Sequence, residues 1–195
     1  MAKLIVSNLV SLDGYCAGPG GNLGVLPMDA AFNAYNAERL RSAGTLLLGR
    51  TTFLMFSVYW PTVSDDAGTS PVLREIARLN GAMNKVVVSD TIRLDAAAPW
   101  GNAEVVVRQQ AHARIAQIKA STQRDVLVFG SHVLWNDLLA HGLIDELHLL
   151  MGSVALGDGV RAFEQGFGAP LRLTVERRLP DSDTVLLQYS YGSPA

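Results

Sequence analysis

From Leu46 the chain reads LLLGRTTF, an apolar strand that stops at Gly49 and hands Arg50, Thr51 and Thr52 to the head of a helical stretch. These residue types suit a phosphate. Glycine lets backbone approach a ligand, hydroxyls and N–H groups at a helix N-terminus receive anionic oxygens, and arginine adds a forked cation. The same residues would also serve a plain capped helix with a solvated arginine. Recurrence favours the first reading. The run Val86 to Val88 ends in Ser89-Asp90-Thr91, and the run Val126 to Phe129 ends in Gly130-Ser131-His132 before another helical segment. Three strands ending in small polar residues would line one edge of one sheet, where nucleotides bind in open α/β folds. No GxGxxG or P-loop is present, since Gly18-Pro19-Gly20-Gly21 follows a polar loop and opens no helix. Other chemistries are poorly supplied. Cys16 has no evident base and no disulfide partner, and four histidines show no metal-ligand spacing. His112, His141 and His148 lie in helical or strand contexts without a carboxylate at suggestive spacing, and read as structural or solvated.

The elements that must position these residues alternate. Lys3–Val10 reads as a strand and a Gly/Pro-rich loop runs to Pro27. Asp29–Arg41 is helical, Leu46–Leu48 a strand, and a helical turn runs through Met55 into a loop carrying Tyr59-Trp60-Pro61. Ser70 caps a helix to Leu79 with Pro71 at its first position. Val86–Val88 and Glu104–Val107 are strands, followed by a helix Gln109–Ala120, a strand Val126–Phe129 and a helix His132–Ala140 that ends at Gly142. Glu146–Val154, Leu171–Arg178 and Thr184–Tyr191 are strands, the last two joined by a turn at Pro180–Asp183. This is an α/β pattern, parallel through its crossovers and antiparallel at its C-terminal end.

Composition bounds the function. At 195 residues, 49% apolar and 17% charged, the chain is expected to form one domain over residues 1–195 with a substantial core. Sixteen basic against eighteen acidic residues, with no basic block, disfavour nucleic acid as a partner. The first apolar run is interrupted by Ser7 and Asn8 and is too short for a membrane span or signal core, so a reduced, cytoplasmic setting without a membrane partner is expected.

SLDGYCAG, LLLGRTTF, NKVVVSDT, VLVFGSHVLWNDLL and DELHLLMGSVALGDGVRAFE, in that order, resemble the dihydrofolate-reductase-like family that includes the reductase domain of riboflavin biosynthesis. The likeness runs from Leu4 to about Tyr191. It implies a three-layer α/β/α fold with a central eight-stranded mixed sheet, antiparallel at its C-terminal part. It also implies NADPH, with NADH possible, lying across strand ends, hydride transfer to a small heterocyclic or carbonyl-like molecule, and a homodimer. On the cofactor side the resemblance assigns Gly49, Arg50, Thr51 and Thr52 to the phosphates, Ser89 and Thr91 to the adenosine 2′-phosphate, and Gly130, Ser131, His132 and Val133 to the pyrophosphate. Asp90 departs from the pattern. A carboxylate beside a phosphate is repulsive by roughly 1 kcal/mol, unless it points to solvent or caps a turn. Ser131 replaces a family glycine, which is tolerable at negative φ.

On the substrate side the resemblance places Asp13 in the loop over the nicotinamide and Gly157 in a turn near it; both also fit bare turns. It places Asp29 beneath the substrate ring as the carboxylate that tunes a proton, where an N-cap is the alternative. Trp60 would stack on a flat substrate or pack under a loop. The loop from Ala17 to Asn22 lacks the cations that a ribose phosphate would require. The order of preference is therefore a stand-alone reductase, then 5-amino-6-(5-phosphoribosylamino)uracil reductase, then dihydrofolate reductase. A nucleotide or flat-ligand binding module is the non-enzymatic alternative.

Overall fold

A computed structural model describes residues 2–164, 168 and 170–191. The chain runs β1 (Leu4–Val10), β2 (Tyr15–Ala17), α1 (Ala30–Ser42), β3 (Ala43–Gly49), α2 (Arg50–Val63), α3 (Pro71–Ala82), β4 (Asn84–Val88) and β5 (Glu104–Val106). It continues through α4 (Arg108–Ser121), β6 (Asp125–Phe129), α5 (His132–Ala140), β7 (Glu146–Met151), β8 (Val160–Arg161), β9 (Leu171–Arg178) and β10 (Val185–Tyr191). Eight strands form one sheet in the order β5-β4-β3-β6-β1-β7-β10-β9. Neighbours are parallel from β5 to β7 and antiparallel for β7–β10 and β10–β9. This is the mixed sheet that the alternating pattern implies, within the eight-stranded α/β/α architecture that the resemblance implies.

All seven residues of β1 are buried. A strand covered on both faces need not alternate in polarity, hence its nearly continuous apolar run. Leu4 and Val6 point to a layer where α4 and α5 contribute Ile115, Trp135 and Leu138. Ile5 points to the opposite layer, with Leu40 of α1, Phe53 of α2 and Ile76 of α3. The polar residues of β1 are paired: Ser7 donates to Asn36 Oδ1 and Asn8 Nδ2 to the Gly130 carbonyl, both at 3.4 Å.

Three local expectations are corrected. Tyr59, Trp60 and Pro61 are not in a loop, because α2 continues to Val63. Pro61 lies two residues before the end of α2, so the N–H it lacks leaves only the Ser57 carbonyl without its intrahelical donor, and the Thr62 and Ser64 hydroxyls donate to the carbonyls of Tyr59 and Pro61 at 2.8 and 3.3 Å. β7 stops at Met151 rather than Val154, as the chain turns away at Gly152, where a Cβ would stand 2.6 Å from Pro27 Cγ. The β2–β8 ribbon, three residues against two, is too short to leave a periodic signal.

A buried polar chain links α1, β7 and β10. Gln188 Nε2 donates to Tyr35 Oη at 3.1 Å, and Tyr35 O–H donates to His148 Nδ1 at 2.7 Å. His148 Nε2–H donates to Glu146 Oε2 at 2.9 Å, and Lys3 Nζ to Glu146 Oε1 at 2.6 Å. These partners fix the neutral tautomer of His148. Burial pushes its pKa below the ordinary 6.5, and the Glu146 carboxylate only partly opposes this. An unfolded chain therefore takes up a proton near pH 6.5 that the folded protein refuses. The contribution to stability is complete above that pH and is lost as pH falls below it. The urea midpoint should decline from about pH 6.5 downward, with a shallower decline in His148→Gln; a flat wild-type midpoint between about pH 7 and 5 would contradict this.

Candidate functional site

Because β3 and β6 are hydrogen-bonded neighbours, their carboxyl ends bring the starts of α2 and α5 side by side. Two contacts lock the junction. Gly49 N–H donates to Ser131 Oγ at 3.0 Å, and Ser131 N–H donates to Thr52 Oγ1 at 3.0 Å. Both hydroxyl oxygens act as acceptors, and among the described residues their own protons have no acceptor. The first-turn N–H groups of each helix also lack intrahelical partners. Gly130 and Ser131 have φ of +53° and +54°, so the condition of a negative φ at Ser131 is not met. A left-handed serine costs about 1–2 kcal/mol, which its two hydrogen bonds offset. At Gly130 the positive φ coincides with close approach: a Cβ would lie 3.1 Å from Thr52 Oγ1. Arg50 and Thr51 are exposed beside this junction, and Arg50 forms no ion pair among the described residues. His132 and Val133 open α5, with the His132 imidazole 3.9 Å from Glu164 Oε1.

At the end of β4, Ser89 is buried and its Oγ accepts from Thr91 N–H at 3.2 Å and Ile92 N–H at 3.1 Å. Ser89 thus shapes the turn that leaves Thr91 exposed. Asp90 is a cap. Its Oδ1 accepts from Arg108 N–H, the first residue of α4, at 2.9 Å, and its Oδ2 lies 3.5 Å from Arg108 Nε. The carboxylate is therefore met by a helix N-terminus and a guanidinium. Sequence reading missed Arg108, which falls between the expected strand and helix, although it is an arginine at a strand-to-helix junction just as Arg50 is.

On the other side of β1, Asp13 clamps two loops. It accepts from Ser11 O–H at 2.6 Å, Leu156 N–H at 3.0 Å and Gly157 N–H at 2.6 Å. The Ser11 hydroxyl, then the Leu156 and Gly157 amides, hold its carboxyl down to about 2, so it stays ionised at neutral pH. Asp29 is the N-cap of α1, with Oδ1 accepting from Phe32 N–H at 2.8 Å and Oδ2 from Ser182 O–H at 2.5 Å. It lines a cleft of about 260 Å³ with Pro27, Ser153, Arg178, Ser182 and Thr184. Arg178 is already engaged, donating to the Ser182 carbonyl at 2.6 Å and to Asp183 Oδ1 at 2.5 Å. The chain beside each aspartate meets the segment after β7: Leu12 N–H donates to the Val154 carbonyl, and Pro27 packs on Gly152.

Trp60 is ten residues along α2 from Arg50, about 15 Å of helix. It packs edge-on against Phe56 and Tyr59 at the margin of the α1–α3 core. Half-buried Cys16 has its thiol pKa pushed up by burial and donates weakly to the Arg161 carbonyl at 3.7 Å, which disfavours a nucleophilic thiolate. The reading of histidines without carboxylate partners is corrected for His112, His141 and His148. The fold brings Asp137 to His112 across α4 and α5, a tertiary pairing. Asp137–His141 is instead an i,i+4 pair at the C-terminal end of α5 and Glu146–His148 an i,i+2 pair on one face of β7, spacings that the sequence carries and that the reading overlooked.

Residues 2–187 match the model of the RibD C-terminal domain family. An uncharacterized protein of Bacillus subtilis (strain 168), YyaP, is 25% identical over 163 residues, covering 83% of this chain and 80% of that one. Among solved structures, a putative riboflavin biosynthesis protein from Shewanella sp. PV-4 superposes with a TM-score of 0.71 at 22% identity, covering 99% and 100% of the two chains. Dihydrofolate reductase from Enterococcus faecalis, complexed with NADP(H) and RAB-propyl, gives a TM-score of 0.62 at 14% identity, covering 98% and 97%. At these identities the structural likeness establishes the fold.

Proposed function

The chain belongs to the RibD C-terminal domain family, and on that premise we propose that it is a reductase that uses NADPH to reduce a small heterocyclic or carbonyl-like acceptor. The observation that carries this reading is the interlocked Gly49–Thr52 and Gly130–Ser131 junction. Its hydroxyl protons, its adjacent helix N-termini and the left-handed Gly130 backbone packed against Thr52 fit a dinucleotide pyrophosphate. Gly49, Thr51, Thr52, Gly130, Ser131, His132 and Val133 would hold that group, and Arg50, Thr91 and Arg108 the 2′-phosphate. Capping removes the objection raised by Asp90, because Arg108 neutralises it. NADPH is accordingly preferred to NADH. When bound, the nicotinamide supplies the hydride.

The chain's own residues supply position and the proton. Asp13 keeps the first loop against the Leu156–Gly157 turn and, staying ionised, is a positioning residue. Asp29, oriented by Phe32 N–H and Ser182 O–H in the cleft, tunes the proton that accompanies reduction. Family membership also favours a second reading, a pyrimidine of the riboflavin type as acceptor. The engaged Arg178 and the cation-free Ala17–Asn22 loop support an unphosphorylated acceptor instead. The assembly is a homodimer in this reading: β9 is one of the two edge strands of the sheet, and seven of its eight residues are exposed.

The test is loss of nicotinamide absorbance with a panel of pteridines, pyrimidines and carbonyl compounds. Acceptor-dependent oxidation supports the reductase; tight NADPH binding with no turnover across the panel favours the binding module. Arg50→Ala should weaken NADPH binding about tenfold, or ~1.4 kcal/mol, and NADH binding less. Equal losses would show that Arg50 does not read the 2′-phosphate.

A further inference from the structure

The geometry points to a transition-metal site on the α4–α5 surface, built from His112, Asp137 and His141 and suited to an ion of the zinc class. Asp137 and His141 are one turn apart at the C-terminal end of α5, and His112 reaches across from α4. His112 Nε2 is 2.6 Å from Asp137 Oδ2, and His141 Nδ1 is 3.4 Å from Asp137 Oδ1. The two imidazole centroids are 4.3 Å apart, and one ligand atom from each of the three residues lies within 4.8 Å of the others. In a tetrahedral site with bonds of roughly 2.0–2.2 Å, ligand atoms stand about 3.3–3.6 Å apart. Convergence therefore needs shifts of about 1 Å, within reach of side chains that are half-buried or exposed.

The chemistry of the donor set narrows the ion. Two imidazoles and one carboxylate match zinc, copper or nickel, whereas magnesium and calcium seek oxygen-rich shells. Three protein ligands leave a coordination position for water. A cation bound there also lies at the C-terminal, electronegative end of α5. Binding would require His141 Nδ1 to exchange its 2.8 Å contact with the Asp137 carbonyl for the metal. The ion would then tie α5 to α4. The opposite end of α5 carries the Ser131–Val133 segment, so the clamp stiffens the support of that loop without touching it.

The test uses full-length protein dialysed against a chelator and titrated with zinc chloride, with thermal unfolding as a parallel readout. Cobalt substitution supplies a spectrum for the coordination geometry. The expected result is one equivalent bound per chain at micromolar affinity, and a melting temperature higher by a few degrees at saturation. Tetrahedral cobalt bands should appear. Affinity should fall at least tenfold in His112→Ala and in His141→Ala. His112→Gln, which keeps a polar side chain, guards against a packing defect in the alanine variant. No saturable binding up to about 100 µM free zinc, or unchanged affinity in these variants, would overturn the proposal.

Discussion

Turnover by Asp29→Asn should fall at least about a hundredfold, as for loss of a positioned proton donor or acceptor, with NADPH affinity and thermal stability nearly unchanged. The separation arises from the two roles of this side chain. As the N-cap of α1 it accepts from Phe32 N–H, and asparagine caps a helix about as well as aspartate. As a carboxylate held by Ser182 it can exchange a proton, which an amide cannot do at neutral pH. Steady-state kinetics with the best acceptor, beside calorimetric NADPH binding, distinguish the roles. Full activity in the variant would leave Asp29 as a cap alone.

Gly130→Val should weaken NADPH binding by about a hundredfold or more, equivalent to ~2.7 kcal/mol. Valine at φ +53° is strained whatever the available space, and its Cβ would meet Thr52 Oγ1 at 3.1 Å. Relief requires the loop to move, which separates Ser131 N–H from Thr52 and disrupts the pairing of the two helix starts. A melting curve checks that the fold persists, since the sheet core beneath does not depend on this loop. Wild-type affinity in a folded Gly130→Val protein would exclude the junction as the pyrophosphate cradle.

Much of this arrangement is legible in the chain because its strands are apolar and end in polar residues. The runs at Leu46, Val86 and Val126 each stop at a Gly or Ser, and the structure puts all three ends on one sheet edge. The length of α2 was not legible, because Pro61 reads as a breaker when its place near the helix end is unknown. Asp90 and Arg108 are eighteen residues apart, and their pairing depends on β4 lying beside β5, so the sign of the field there could not be read from Asp90 alone. The same holds for the Ser182 bond to Asp29, separated by 153 residues, and for the approach of His112 to the i,i+4 pair Asp137 and His141. Local patterning reports where strands end, while the partners of a carboxylate are set by tertiary packing.

Titration calorimetry of the folded protein with NADPH and, separately, NADH tests the central claim most directly. One NADPH site per chain at micromolar or tighter affinity, with NADH at least about tenfold weaker, is the expected result. No heat from either cofactor at millimolar concentration, in a sample whose melting curve shows a cooperative fold, would contradict it.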